Sequence, residues 1–227
     1  MAITELTLFH LKNNESITSP SNEGVQTKLR AAIDARVSRS KYPSYLFTQV
    51  EDLSYIYLLG GWDSVKAHSE EWLASETREK LVATLQDAVE VVWTQHLKLG
   101  LEGLQTPTEN SDNGIGKIPI DAPVLSVGRY FIPKANTAAF QGTFTATKSG
   151  LEAFVAPRTM DGGWRLDPEA VADQASVEKE EFVLFGGFGA VEEHSNFAKT
   201  EAFKEFSKIR DFMDGFEIKH VTPWANA

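Results

Sequence analysis

Gly60-Gly61-Trp62-Asp63-Ser64-Val65-Lys66-Ala67-His68-Ser69 recurs as Gly186-Gly187-Phe188-Gly189-Ala190-Val191-Glu192-Glu193-His194-Ser195, with an aromatic residue after both glycine pairs and Val, His and Ser kept in step. Self-similarity at a fixed separation marks a supersecondary unit made twice. The stretch therefore sets the frame for reading the rest of the chain.

Outward from each copy, six elements match six. In the first, Leu6 to Lys12 is apolar and strand-like, and Val25, Leu29, Ala32, Ile33 and Val37 recur at helical spacing. Tyr45 to Val50 and Tyr55 to Leu59 read as two strands around a polar turn; a helix from Asp63 or Ser64 to about Ala88 and a strand from Val89 to Leu97 follow. In the second, Val124 to Ile132, Thr137 to Val155, Gly162 to Asp167, Phe182 to Phe188, Ala190 to Met213 and Phe216 to Val221 repeat the order. Pro168 to Lys179 is an insertion that the first copy lacks, read as a helical cover for one cavity.

Strand, helix, strand, strand, helix, strand builds a four-stranded antiparallel sheet with two helices on one face. Tyr55-Ile56-Tyr57-Leu58-Leu59 and Phe182-Val183-Leu184-Phe185 are apolar on both sides of the pleat, so the helix-free face also needs cover. The expected fold class is α+β: two tandem ferredoxin-like (βαββαβ) repeats, 1–100 and 122–227, joined by a polar linker at 101–121, their sheets packed into one intramolecular α/β barrel. The duplication also admits a homodimer of such pseudo-dimeric chains.

Composition narrows the functions. With 22 Lys plus Arg against 32 Asp plus Glu among 227 residues, the formal charge is -10, which argues against a nucleic-acid surface. The absence of cysteine removes disulfides, thiolate metal sites and cysteine nucleophiles. No signal-like amino terminus and no apolar run of membrane-span length is present, so a cytoplasmic protein is expected, without membrane partners. No Gly-x-Ser-x-Gly elbow or phosphate-binding glycine motif occurs, which sets aside hydrolase and nucleotide chemistry.

The order of elements, the Gly-Gly-aromatic end of the third strand and the following His-Ser resemble the dimeric α/β-barrel superfamily, which includes antibiotic biosynthesis monooxygenase-like and stress-responsive barrel proteins. Gly162-Gly163-Trp164-Arg165 and Glu193-His194-Ser195-Asn196-Phe197 resemble its fungal tandem members. The resemblance implies a small-molecule enzyme: a cofactor-independent monooxygenase on anthrone-type substrates, a polyketide cyclase, a decarboxylase, or a haem-handling protein. The plant cyclases of the group carry a His-Pro-Ala-His stretch on the second helix; it would fall on Ser75 to Arg78 and Thr200 to Phe203, and neither place holds a histidine.

Five histidines are the acid/base candidates. His68 and His194 match each other at the start of the second helix, His96 and His220 in the last strand, and His10 lies on the first strand against Arg129 or Tyr130. His68 and His194 are read either as proton acceptors or as corner residues that fix the strand-to-helix turn. If the strand face that carries His96 and His220 looks into the barrel, they line a cavity there. Arg129 and Tyr130 would orient an anionic substrate, and Tyr57 and Trp164, from a strand-borne aromatic set, would wall a planar one.

The expectation is thus an enzyme of specialised metabolism acting on an aromatic or polyketide-like substrate by cyclisation, decarboxylation or monooxygenation. It needs no cofactor and no metal. The alternatives are a haem-binding barrel protein and a non-catalytic stress-associated binding protein.

Overall fold

The computed structural model describes residues 2–99, 118–167 and 179–224. Most of the sequence's linker (101–117) and of its insertion (168–178) lie outside the described residues. By contacts the chain divides into a first unit, Met1–Thr106 with Val221–Ala227, and a second, Pro107–His220.

The first unit contains β1 (Ile3–Leu11), α1 (Glu23–Ser40), β2 (Ser44–Gln49), β3 (Tyr55–Trp62), a π-helical turn (Ala67–Trp72), α2 (Glu76–Leu85) and β4 (Val89–Leu97). Its strands lie in the order β4-β1-β3-β2. The second contains β5 (Val124–Pro133), α3 (Thr137–Val155), β6 (Met160–Trp164), β7 (Lys179–Phe188), α4 (Val191–Phe197), α5 (Glu201–Phe206), a 3-10 turn (Ser207–Phe212) and the start of β8 (Gly215–Pro223), ordered β8-β5-β7-β6. The last residues of β8 belong to the first unit, where Val221, Thr222 and Pro223 pair antiparallel with Gln49, Thr48 and Phe47. The fold is α+β, and each unit runs strand, helix, strand, strand, helix, strand.

Period-2 alternation explains both faces of each sheet. In β5 the even residues Val124, Tyr130 and Ile132 join Phe140, Phe144, Leu151 and Val155 of α3 and Phe197 and Phe206 of α4 and α5 in one core, each fully buried phenylalanine contributing about 2–3 kcal/mol. In the first unit Leu11, Leu46, Ile56 and Leu58 meet Leu29 of α1, with Phe9, Val25 and Ile33 packed beside them. The other face is buried too: Leu6, Leu59, Leu125, Val127, Val183 and Phe185 are almost inaccessible. This is why those strands carry no clean apolar/polar alternation.

The second helix of each copy differs from the unbroken helix read from the sequence. Ser75 and Thr200 are extended, at ψ 141° and 156°, and their hydroxyls accept from the backbone N–H of Arg78 and Phe203. A serine or threonine that caps a new helix ends the old one. Each strand-to-helix corner therefore becomes a short independent piece, π-helical in the first unit and α4 in the second, carrying the histidine of the repeated motif.

Candidate functional site

Both units place the same trio under their helices. The aromatic residue after the two glycines lies against the corner histidine: Trp62 on His68 at 5.0 Å between ring centroids, Phe188 on His194 at 4.5 Å and 18°. The corner histidine then meets the histidine of the unit's last strand, His68 Nδ1 to His96 Nε2 at 2.7 Å and His194 Nδ1 to His220 Nε2 at 2.8 Å. Four of the five candidate histidines thus form two dyads. His96 and His220 face the helices of their own units, so the condition under which they would line a barrel cavity is not met: their bonding partners sit on the helix-side corners. The sequence signal was available in the spacings, 28 residues in one copy and 26 in the other.

Ladder register fixes the other counterparts. Glu5 pairs with Gly60 and Ser126 with Gly186, the same glycine of the motif, so Ser126 stands where Glu5 does. By the same count Gly128 replaces Thr7, and Phe131 replaces His10, because Phe131 faces Glu181 as His10 faces Tyr55. His10 therefore corresponds to neither Arg129 nor Tyr130.

In the first unit the place is full. The Glu5 carboxylate, 2% exposed, accepts from Arg36 Nη2 at 2.6 Å, Trp62 Nε1 at 2.5 Å and Thr7 Oγ1 at 2.7 Å, and His68 Nε2 lies 3.4 Å away. Burial pushes Glu5 up, but Arg36, His68 and these hydrogen bonds overcome it and hold the carboxyl at about 2. Arg36 also lies over the Trp62 ring at 4.8 Å and bonds the Ser44 hydroxyl. Gly60 makes room, since a Cβ there would lie 2.1 Å from Arg36 Nη1. Burial lowers His68 to about 4, against the pull of Glu5, so it is neutral at pH 7. The carboxylate beside Nε2 selects the tautomer with its hydrogen there, leaving Nδ1 to accept from His96.

In the second unit the place is open. With serine for glutamate and glycine for threonine, a cavity of about 60 Å3 remains, walled by Ser126, Gly128, Tyr130, Gly186, Phe188 and His194 and, from the helices, by Leu151, Phe203 and Arg210. Ser126 donates to the Gly186 carbonyl at 3.3 Å. Tyr130 is 7% exposed, and its hydroxyl lies over Gly128, 3.0 Å from where a Cβ would be. Burial, opposed by Arg210, raises its pKa to about 12, so it is a donor at neutral pH. Neither that hydroxyl nor His194 Nε2 has a hydrogen-bond partner among the described residues. His194 is lowered to about 4 by burial and by His220, and is neutral at pH 7. Arg210 and Phe216, 46% exposed, mark the mouth, with the guanidinium 5.1 Å from that ring.

The remaining sequence candidates lie elsewhere. Arg129, adjacent to Tyr130 and so on the opposite face, pairs with Glu181 at 2.6 Å and Glu217 at 3.3 Å. Both could not line one cavity. His10 bonds Glu90 at 2.9 Å and Asn14 at 3.0 Å and stacks on Tyr55, away from the helix-side core. Tyr57 packs edge-on to Trp93, and Trp164 donates to Gln141 at 2.7 Å within the α3 core. Sequence reasoning missed Glu5, Arg36, Ser126 and Arg210; only Glu5, a charge among apolar strand residues, was open to notice.

No group of three or more His, Asp or Glu side chains among the described residues could hold a metal ion. Haem does not fit the cavity: about 60 Å3 is several-fold below the ~300 Å3 at which ligand-enclosing pockets begin. His194 offers Nε2, but its ring is clamped between Phe188 and His220.

No protein-family model matches the chain, and no curated protein sequence does. Solved structures do. An anthrone oxidase-like protein superposes with TM-score 0.62 at 13% identity, over 98% of this chain and 91% of that one. A provisionally assigned monooxygenase of Fusobacterium nucleatum gives 0.61 at 10% identity, over 98% and 92%. A chlorite dismutase of Candidatus Nitrospira defluvii gives 0.54 at 9%, over 98% and 91%. At these identities the likeness is one of fold. It extends across nearly the whole chain and agrees with the α+β class.

Proposed function

We propose that the chain is a tandem member of the dimeric α/β-barrel superfamily, and that its second unit is an oxidative small-molecule enzyme acting on an enolisable or phenolic aromatic substrate of specialised metabolism. The observation that carries this reading is the pairing, inside one aromatic-walled cavity, of a neutral His194 with an open Nε2 and the hydroxyl of Tyr130, which has no partner among the described residues. A proton acceptor and an oxyanion donor in one cavity are what enolate or phenolate formation requires. The monooxygenase and anthrone oxidase-like fold neighbours favour oxidation over cyclisation or decarboxylation.

In the reaction, His194 Nε2 takes the acidic proton of the substrate while its Nδ1 stays bonded to His220, which holds the ring in place. Tyr130 donates to the oxygen on which negative charge develops. The electron-rich carbanion then reacts with dioxygen: one oxygen atom enters the product as a carbonyl, and the other leaves as water with the two hydrogens of the former methylene. Phe216 and Arg210 at the mouth lie against the rest of the ring system.

Oxygen uptake with anthrone as substrate tests the reading. Turnover should fall about 10²- to 10⁴-fold in His194→Gln, the range of a lost general base. Full activity in that variant would end the proposal.

A further inference from the structure

The first unit shows what the second unit's cavity is built to receive. Its Glu5 carboxylate occupies the counterpart of the empty place, held by Thr7, Trp62 and Arg36 with His68 Nε2 at 3.4 Å. In the second unit the histidine dyad is kept and the carboxylate is not, because Ser126 stands at the Glu5 position. The arginine that neutralises Glu5 from α1 is gone as well; on the α3 side the wall includes Leu151, and the cation has moved to Arg210 at the mouth. What remains is a donor-bearing place without its anion.

We propose that the second unit's cavity binds the carboxylate of an aryl carboxylic acid, seated against His194 Nε2 and the Tyr130 hydroxyl where the first unit seats its own Glu5. His194 meets it as His68 meets Glu5, as a neutral ring with hydrogen on Nε2 and Nδ1 accepting from its partner; the opposite tautomer, with hydrogen on Nδ1, is the one that leaves Nε2 open to take a proton when no anion is bound. Gly128, having no side chain, leaves the Tyr130 hydroxyl free to lean over the strand and donate from the side. That hydroxyl belongs to a side chain more than nine-tenths buried and has no partner among the described residues, so it can donate to a ligand in the cavity. The narrow cavity takes the carboxylate head; the ring rests at the mouth beside Phe216 and the Arg210 guanidinium, whose charge complements the acid. The first unit's Glu5 and Arg36 act in the same terms as a built-in occupant. The inference rests on locating the active site in this cavity and on nothing about the reaction performed there.

Titration of the full-length protein with benzoate and with the neutral isostere benzamide, followed by calorimetry and by the histidine ring resonances, tests it. Benzoate should bind at least tenfold more tightly than benzamide and shift the His194 and His220 resonances but not those of His68 and His96. Tyr130→Phe keeps the buried ring and should weaken benzoate about tenfold, with benzamide less affected. Ser126→Glu supplies the missing carboxylate in place and should abolish benzoate binding; if that variant does not fold, the Tyr130→Phe and benzamide comparisons decide alone. Equal affinity for the two probes, or unchanged benzoate binding in Tyr130→Phe, overturns the proposal. Because binding is read without turnover, its failure is separable from loss of the oxidative reading, which His194→Gln tests by oxygen uptake.

Discussion

Replacing Glu5 with glutamine keeps the shape of a buried side chain and deletes its charge, which leaves the Arg36 guanidinium, itself almost fully buried, without a counter-ion. Two independent routes give the size of the loss. Breaking one side of a buried ion pair costs about 3–5 kcal/mol. The carboxyl also sits at about 2 instead of 4.5, and a difference of that size corresponds to about 3 kcal/mol of stability at neutral pH. The sign is that of a depressed acid: the contribution is complete above pH 4.5 and is lost as pH falls towards 2. With a urea dependence of about 2 kcal/mol/M, Glu5→Gln should lower the unfolding midpoint at pH 7 by roughly 1.5–2.5 M. Tryptophan fluorescence is a direct probe, because Trp62 donates to this carboxylate at 2.5 Å. Arg36→Met should cost a similar amount, and the double variant should fall short of the sum by about 2 kcal/mol, the coupling of the pair. A Glu5→Gln loss below about 1 kcal/mol, or additive single variants, would refute the view of this pair as a closed, charge-coupled plug.

Two further outcomes follow from the same geometry. His68 and His194 both titrate near 4 when folded against an ordinary 6.5, so the unfolded chain binds more protons in between; stability should be constant above pH 6.5 and fall as pH drops from 6.5 to 4, by about 3 kcal/mol for each ring at the limit, and a flat urea midpoint from pH 7 to 5 would contradict this. Gly60→Ala, whose Cβ would lie 2.1 Å from Arg36 Nη1, should lower the melting free energy by about 1–3 kcal/mol, whereas Gly24→Ala in α1, with nothing within 4 Å, should raise it by about 0.4–1 kcal/mol; thermal melts of the two variants should move in opposite directions.

The sequence read the elements well and the faces poorly. Thr137–Val155 and Val89–Leu97 have the limits that periodicity predicts, because long regular runs carry their own signal. The second helices broke where Ser75 and Thr200 cap new ones, a local hydrogen bond that competes with helix continuation. His10 was matched to the wrong residues because one strand gives no register; pairing through Gly60 and Gly186 aligns it with Phe131. Of the two residues expected to orient a substrate, Tyr130 lines the cavity and Arg129 pairs with Glu181, since their adjacency alone puts them on opposite faces.

By itself the sequence determined the α+β class and the recurrence of the Gly-Gly-aromatic to His-Ser stretch with its histidines, since repetition and periodicity are properties of one chain read along its length. Only the tertiary structure decided what those places do. Whether a corner histidine is plugged or open depends on a residue more than sixty positions away in sequence, Glu5 for His68 and Ser126 for His194, brought beside it by strand pairing. A single carboxylate in that position fills one unit with an ion pair; its absence leaves a cavity in the other.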